Sequence, residues 1–250
     1  MPAEPATIAV LTVLFIATVI RSAFGFGEAL ISVPLLALVI PVEIAAPVAV
    51  LASITIALIA VVQDWNQIHL RSAVWLVASS LVGIPLGLAM LRLAPETAVK
   101  MALAAVIIAF SSYALRGGIG HGELKGDGLA WAFGFVSGIL GGAYGMNGPP
   151  LVIYGSLRGW SPQHFRATLQ GYFLPASLAG LYGYHVAGLW TGTVTRYYLL
   201  SLPLIVVGTL IGRSINRRME AKRFLLWVHR GLIATGTVLL VQAMVRLARG

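Results

Sequence analysis

Residues 141–150 read GGAYGMNGPP, and they interrupt a run of thirty residues, 128–157, that contains no charged side chain. Glycine permits backbone conformations that other residues avoid, and proline suits the first turn of a new helix. The stretch therefore predicts that one helix ends near Gly145 and that a short one begins near Gly148. Interrupted backbone is tolerated in a membrane only where protein buries it or where it lines a watery cavity.

The composition places the whole chain in a membrane. Of its 250 residues, 58% are apolar and 10% are charged, and the mean hydropathy is +0.90. An average soluble domain is about 45–50% apolar and about 25% charged. A water-soluble globule and a disordered chain are thereby excluded, and the long unbroken apolar runs argue against a β-barrel, whose strands alternate apolar and polar residues. We predict an all-α polytopic membrane protein.

A second interruption lies near the start of the chain, at Gly25 and Gly27, just before Glu28. The apolar pieces that follow the two interruptions, 29–40 and 149–157, are too short to cross a hydrocarbon layer of about 30 Å, because twelve helical residues reach about 18 Å. They have the length of half-helices. Eight other segments can span, some with flanking residues: 7–20, 44–63, 72–91, 101–115, the part of 128–157 before the interruption, 167–195, 197–212 and 231–245.

The two interruptions occupy matching places in an internal repeat. The coincident pairs, first at a shift of 120 and later of 125, are Phe24-Gly25 with Tyr144-Gly145, Trp65 with Trp190, Arg71 with Arg196, Gly83 with Gly208 and Gly87 with Gly212. We predict a first repeat at 1–115, a linker at 116–127 and a second repeat at 128–250, forming one membrane domain. Each repeat has about five elements, and we expect the two to be inverted, as in many secondary transporters whose site lies between two broken helices.

The second interruption has the chemistry of an anion site. The N-terminus of a helix presents free N–H groups and the positive end of the helix dipole, which attract anions. Gly145, Asn147 and Gly148 are therefore candidate substrate-binding residues, and Gly25 and Gly27 are their counterparts in the first repeat. The alternative is a simple kink that serves helix packing.

Two arginines are candidate anchors for an anion, and we expect Arg166 to be the main one. Arg166 begins the span at 167–195, and Arg21 lies near the end of the first span. An arginine at membrane depth usually faces the bundle interior or a water-filled pathway, and its guanidinium matches planar oxyanion faces through paired N–H donors. Gln170 lies one helical turn beyond Arg166 and is a further candidate. The alternative for both arginines is that they reach the headgroups.

Glu28 is the acidic residue at the interruptions, and two interpretations stay open for it. Intramembrane carboxylates recur in proton relays, which makes Glu28 a candidate for coupling to protons. Seven residues, or two helical turns, separate it from Arg21, so an ion pair on one helix face is equally simple. The chain has no cysteine, and its histidines are isolated, so we expect neither a metal site nor a cofactor.

Residues 138–150, GILGGAYGMNGPP, resemble the signature of the TauE/SafE, or sulfite-exporter-like, permease family. The segment FRATL at 165–169 and the copies FGFG at 24–27 and PLL at 34–36 resemble further parts of that family. The resemblance implies a small permease for sulfur-containing anions such as sulfite, sulfoacetate or other organosulfonates. Glu28 departs from the pattern, where a small residue is expected.

The function that we predict is a secondary transporter, not an enzyme, which moves a small anion by alternating access. Two alternatives stay open: a membrane-embedded enzyme acting on a small or lipid substrate, which would need clustered His, Cys or acidic groups, and an anion channel. Glycines spaced by four, such as those at 134, 138 and 142, indicate close helix packing. They leave open whether the packing is within one chain or in an oligomer.

Basic residues predict the orientation. Twelve of the 17 Lys and Arg residues fall on one side when ten crossings are counted, and positive loops stay in the cytoplasm. We therefore expect a multi-pass protein of the cell (inner) membrane with both termini outside. Its partners would be the lipid bilayer and a small anion, with coupling to protons or another ion left open. The net charge of +9 is explained by these loops, so no nucleic acid is expected.

Overall fold

The computed structural model describes residues 4–24, 27–64, 70–117, 128–160, 162–216 and 221–249. Within these ranges the chain is all-helical, as predicted. The helices are α1 (Glu4–Phe24), α2 (Glu28–Leu36), α3 (Val42–Asp64), α4 (Leu70–Leu93), α5 (Glu96–Leu115), α6 (Ala130–Tyr144), α7 (Gly148–Leu157), α8 (Pro162–Val186), α9 (Gly192–Asn216) and α10 (Ala221–Arg249).

Among the described residues, six helices are long and apolar enough to cross a membrane, namely α1, α3, α4, α5, α9 and α10. Helix α6 is apolar but shorter. Large apolar side chains stay exposed on the outer faces, for example Leu86, Leu210 and Val241, as expected where lipid is the solvent. Helix α3 is the most enclosed of the six, with 72% of its apolar stretch buried.

The two short helices are present where the sequence predicts them. Helix α7 has ten residues and α2 has nine, so each reaches only about 14–15 Å. The prediction that the first short piece extends to residue 40 is wrong, because α2 ends at Leu36 and a turn occupies 37–40. Pro41 follows that turn, and the residue before a proline is disfavoured in the helical conformation.

Helices of the first half pack on helices of the second half. Helix α1 packs on α9 and α6 on α4, while α3 lies against α8 and α5 against α10. The first five helices can be matched in order with the last five, α1 with α6 and so on to α5 with α10. Replacing each helix by its match turns the α1–α9 pair into the α6–α4 pair and leaves the α3–α8 and α5–α10 pairs as they are. In both halves the second helix is the shortest. The duplication and its inverted orientation stay predictions.

The glycines spaced by four pack helices of this chain against each other. A Cβ added at Gly83 or Gly87 of α4 would collide with backbone atoms of Phe135 or Ile139 of α6, and one at Gly138 would collide with the backbone of Ser80. Gly212 of α9 has the same relation to Val19 of α1. The small residues thus allow the backbones to approach closely, as expected for membrane helices.

The predicted boundary between the spans at 167–195 and 197–212 is wrong. Helix α8 ends at Val186, and α9 begins at Gly192. Gly188 adopts a φ of 73°, and the N–H of Leu189 donates to the carbonyl of Tyr184 at 2.9 Å, which is the usual way a glycine ends a helix. Arg196 therefore lies in the first turns of α9 instead of separating two spans.

Candidate functional site

The two interruptions meet at one small cavity. Its volume is about 20 Å³, which is about what one water needs. Both interruptions contribute to its wall, together with α1, α3 and α8. The lining residues are Arg21, Gly27, Glu28, Ala29, Leu30, Ser53, Gly145, Met146, Asn147, Gly148, Phe173 and Ser177.

The first interruption depends on a left-handed glycine. Gly27 precedes α2 with a φ of 98°, a conformation that side-chain-bearing residues rarely adopt. Its carbonyl accepts the N–H of Ile31 at 3.1 Å, so the helix starts immediately. The N–H groups of the first turn have no partner within a helix, and two residues of that turn, Ala29 and Leu30, line the cavity.

The second interruption also turns at a left-handed glycine. Gly145 ends α6 with a φ of 64°, and Asn147 precedes α7. Pro149 and Pro150 occupy the first turn of α7, and proline has no N–H. Gly148 is therefore the residue of α7 whose N–H is available at this helix end.

Hydroxyl groups hold the second interruption in place. The Ser137 hydroxyl donates to the carbonyl of Asn147 at 2.6 Å and lies 3.0 Å from the Tyr172 hydroxyl. The Tyr184 hydroxyl donates to the carbonyl of Gly141 at 3.1 Å. A carbonyl oxygen has two lone pairs and can accept a hydroxyl in addition to a backbone N–H. Helices α6 and α8 therefore fix the position of Asn147.

Arg21 and Glu28 form a buried ion pair across the first interruption. Nη1 of Arg21 lies 3.2 Å from Oε2 of Glu28 and also donates to the Ser53 hydroxyl. The two residues are 3% and 1% exposed. The prediction that they share one helix face is wrong, because α1 ends at Phe24 and α2 begins at Glu28. The pair joins two separate helices.

The Arg21 guanidinium keeps unused hydrogen-bonding capacity. Its Nε and Nη2 are buried and have no hydrogen-bond partner among the described residues, and the same is true of Oδ1 of Asn147. The guanidinium carbon lies 5.1 Å from the centre of the Phe173 ring, within the range of a cation–π contact. Buried donors of this kind are normally satisfied, so the cavity has N–H groups in excess of its acceptors.

The structure brings together six of the nine residues that the sequence predicts for the site: Arg21, Gly27, Glu28, Gly145, Asn147 and Gly148. Gly25 lies outside the described residues. Arg166 and Gln170 belong to α8, and their side chains lie outside the described part of the structure. The substrate-binding and coupling roles of all nine stay predictions.

Outside the two interruptions and the short helix α2, sequence reasoning missed three residues on the cavity wall. Ser53 comes from α3, and Phe173 and Ser177 come from α8. None of the three carries a sequence signal, since phenylalanine and serine are common in membrane helices. Only the packing of α8 against α3 brings them to the cavity.

No group of three or more His, Asp or Glu side chains that could hold a metal ion occurs among the described residues. The polar groups at the cavity are a guanidinium, a carboxylate, an amide and two hydroxyls. Such groups can form hydrogen bonds and ion pairs with a small charged solute.

Comparison with known proteins gives one family and one curated relative. Residues 10–240 match the family model described as Sulfite exporter TauE/SafE. The "Probable sulfite/organosulfonate exporter TauE" of Cupriavidus necator is 27% identical over 150 residues, which are 60% of this chain and 58% of that protein. The match thus spans somewhat more than half the length of the relative. No solved structure matches the chain.

Proposed function

This chain belongs to the TauE/SafE family of sulfite exporters, and we propose that it is a secondary transporter for a small sulfur oxyanion. The substrate would be sulfite or an organosulfonate such as sulfoacetate, carried by alternating access. The relative from Cupriavidus necator, which is named a probable sulfite/organosulfonate exporter, supports this choice. The family and the helical architecture also favour transport over catalysis.

The observation that carries the proposal is the pair of unpartnered nitrogens on Arg21, Nε and Nη2. Both lie buried in a guanidinium that lines the cavity between the two interruptions. A guanidinium presents parallel donors that fit two oxygens of a sulfonate or sulfite group at once. Binding an anion there would satisfy donors that are costly to leave unpaired. We therefore place the main anchor at Arg21.

The neighbouring groups would complete the anion site. Asn147 can turn its amide so that the NH₂ group faces the anion, and the N–H of Gly148 adds the end of α7. Gly145 and Gly27 would shape the two turns that bring these groups close, with Gly25 beside the latter. Arg166 and Gln170 lie on α8 before Phe173, about two turns and one turn away. We propose that they attract the anion on its way to the cavity.

The size of the cavity favours a carrier. Its volume of about 20 Å³ suits one water, and any sulfur oxyanion is larger. Part of the cavity wall would therefore have to move for an anion to bind. Movement of one repeat against the other around a central site is the usual basis of alternating access, whereas an open channel would need a continuous polar path.

The proposal is tested by the thermal stability of the purified protein across a panel of anions, in wild type and in Arg21→Lys. A ligand that binds only the folded state adds about 2.7 kcal/mol at a hundred times Kd. We expect sulfite or an organosulfonate to stabilise wild type. Lysine keeps the charge beside Glu28 but lacks the paired donors, so we expect affinity to fall at least tenfold.

Arg246→Lys is the matched control. Arg246 is also paired with a carboxylate, that of Glu96, but it is 60% exposed and does not line the cavity. Its response to anions should equal that of wild type. If Arg21→Lys is stabilised as strongly as wild type, the anion does not bind at Arg21. If Arg166→Lys alone loses the response, the anchor is Arg166.

A further inference from the structure

We propose that Glu28 competes with the transported anion for Arg21, so that one proton binds to Glu28 for each monovalent anion that enters the site. The inference rests on the proposed function and deepens it by giving a stoichiometry and a substrate charge. It makes the protein an electroneutral cotransporter of protons and monoanions.

The geometry gives Glu28 the position of a built-in anion. Its Oε2 accepts from Nη1 of Arg21 at 3.2 Å, and its Oε1 lies 3.5 Å from the Ser32 hydroxyl. Nε and Nη2 of the same guanidinium have no partner among the described residues. Arg21 is thus only partly used by Glu28. A substrate oxyanion at Nε and Nη2 would lie next to a carboxylate of like charge.

Charge balance then requires a proton. Arg21 and Glu28 sum to zero, a bound monoanion brings the site to −1, and a proton on Glu28 restores zero. A net charge in a buried site costs several kcal/mol. The site that holds one anion and one proton is neutral, so the protein can change conformation in that state. The proton comes from water on the side of entry, the Nη1–Oε2 ion pair opens, and both ions leave on the other side before the pair forms again.

No other described charge lies on the cavity wall to compensate the anion. Helix α2, which carries Glu28, packs against α1, α3, α5, α7 and α10. On α5, Lys100 is paired with Glu96 at 2.9 Å, and on α10, His229 lies beside Ser111. Glu43 is exposed at the start of α3. Arg246 on α10 is paired with Glu96, and Arg230 is exposed. Among the described residues, Arg21 is the charged group in an ion pair with Glu28.

The same arithmetic ranks the substrates. Bisulfite and simple sulfonates are monoanions and leave the loaded site neutral. Sulfate, and sulfoacetate with both acid groups ionised, would leave it at −1. A dianion therefore needs a further cation, for which Arg166 is the candidate. We expect monoanions to be carried faster than dianions.

The experiment uses proteoliposomes and labelled methanesulfonate, a monoanion at every working pH. Wild type should exchange methanesulfonate across the membrane in counterflow and accumulate it when the outside is more acidic. One pH unit supports up to about tenfold accumulation at one proton per anion. A membrane potential imposed with potassium and valinomycin should leave this accumulation unchanged.

Glu28→Gln mimics the protonated carboxyl and separates the two activities. We expect the variant to keep measurable counterflow and to show no accumulation driven by the pH gradient. Glu43→Gln, at an exposed glutamate of α3, should keep both activities. A purely structural role of Glu28 would reduce counterflow and accumulation together.

Several outcomes overturn the inference. The first is that Glu28→Gln accumulates methanesulfonate as wild type does. The second is that Glu28→Gln elutes as folded protein but loses both counterflow and accumulation. The third is that accumulation by wild type follows the membrane potential. If Glu28→Gln does not fold, a pH dye inside wild-type vesicles decides, because the inference requires one proton per methanesulfonate. Arg21-dependent stabilisation by sulfite without methanesulfonate exchange overturns the inference and leaves the proposed function standing.

Discussion

Asn147 illustrates how a single side chain is committed to the cavity. It is 6% exposed, its carbonyl is held by Ser137, and its Oδ1 has no partner among the described residues. Its side chain fills the space beside Gly141, where an added Cβ would collide with it. The backbone of this buried amide is thus fixed, while its Oδ1 is available for a further contact.

We therefore predict that Asn147→Ala and Asn147→Asp both weaken anion binding, the aspartate more. Alanine removes one hydrogen bond, worth about 0.5–1.5 kcal/mol or up to tenfold in affinity. Aspartate has nearly the same shape but adds a negative charge. The Asn147→Asp variant should therefore bind sulfite a further tenfold more weakly than Asn147→Ala. Titration of sulfite into the purified variants, followed by their thermal midpoint, gives the affinities.

Thr168→Ala is the control for this pair. Thr168 is 1% exposed, and its hydroxyl also lacks a partner among the described residues, but it does not line the cavity. Its sulfite affinity should remain that of wild type. Equal affinities for the alanine and aspartate variants would show that no anion lies near Asn147.

Among single residues, the sequence predicts the polar ones that are unusual in apolar surroundings and misses residue types that are common there. Arg21, Glu28 and Asn147 are unusual in apolar surroundings, and all three line the cavity. Phe173 lines it too, but a phenylalanine in a membrane helix is expected anywhere. Its place depends on how α8 packs on α3, which local sequence does not specify.

Among the helices, the contact between α4 and α6 depends on glycine in a way that can be measured. We predict that Gly138→Ala destabilises the protein by a few kcal/mol, because the new Cβ would overlap the backbone of Ser80 and overpacking costs about 1–3 kcal/mol. Gly231→Ala on α10 meets nothing within 4 Å and should be neutral or stabilising by up to about 1 kcal/mol. Thermal unfolding in detergent compares the two.

This pair isolates packing from helix propensity, since both replace a glycine inside a helix by alanine. Equal effects would mean that the α4–α6 contact tolerates separation.

The spacing of the glycines predicted close packing, but not which helix is the packing partner. The helix ends were less predictable: Arg196 looked like a boundary because it is charged, whereas the real one at Gly188 depends on a left-handed turn.

For the whole molecule, helices of the two halves pack on each other, and both interruptions line one cavity. Helices α1 and α6 each lead into a short helix, and each packs on a long helix of the other half. The short helices α2 and α7 are also in contact, so that movement at one interruption changes the wall of the other. Such coupling suits a site that opens alternately to the two sides. The sequence predicted the two interruptions, and folding was needed to show that they share a cavity.

The orientation in the membrane can be tested directly because the chain has no cysteine. We predict that Leu93→Cys and Thr191→Cys react with a membrane-impermeant maleimide in intact cells, and that Gly128→Cys reacts only after lysis. The three positions are exposed at or beside the ends of described helices. This pattern follows if all ten helices cross and the basic loops stay in the cytoplasm. If the short helices re-enter instead, eight crossings remain, Leu93→Cys becomes protected and Gly128→Cys becomes reactive, while Thr191→Cys still reacts. Protection of Thr191→Cys would reverse the orientation, and the basic loops would then lie outside against the charge rule.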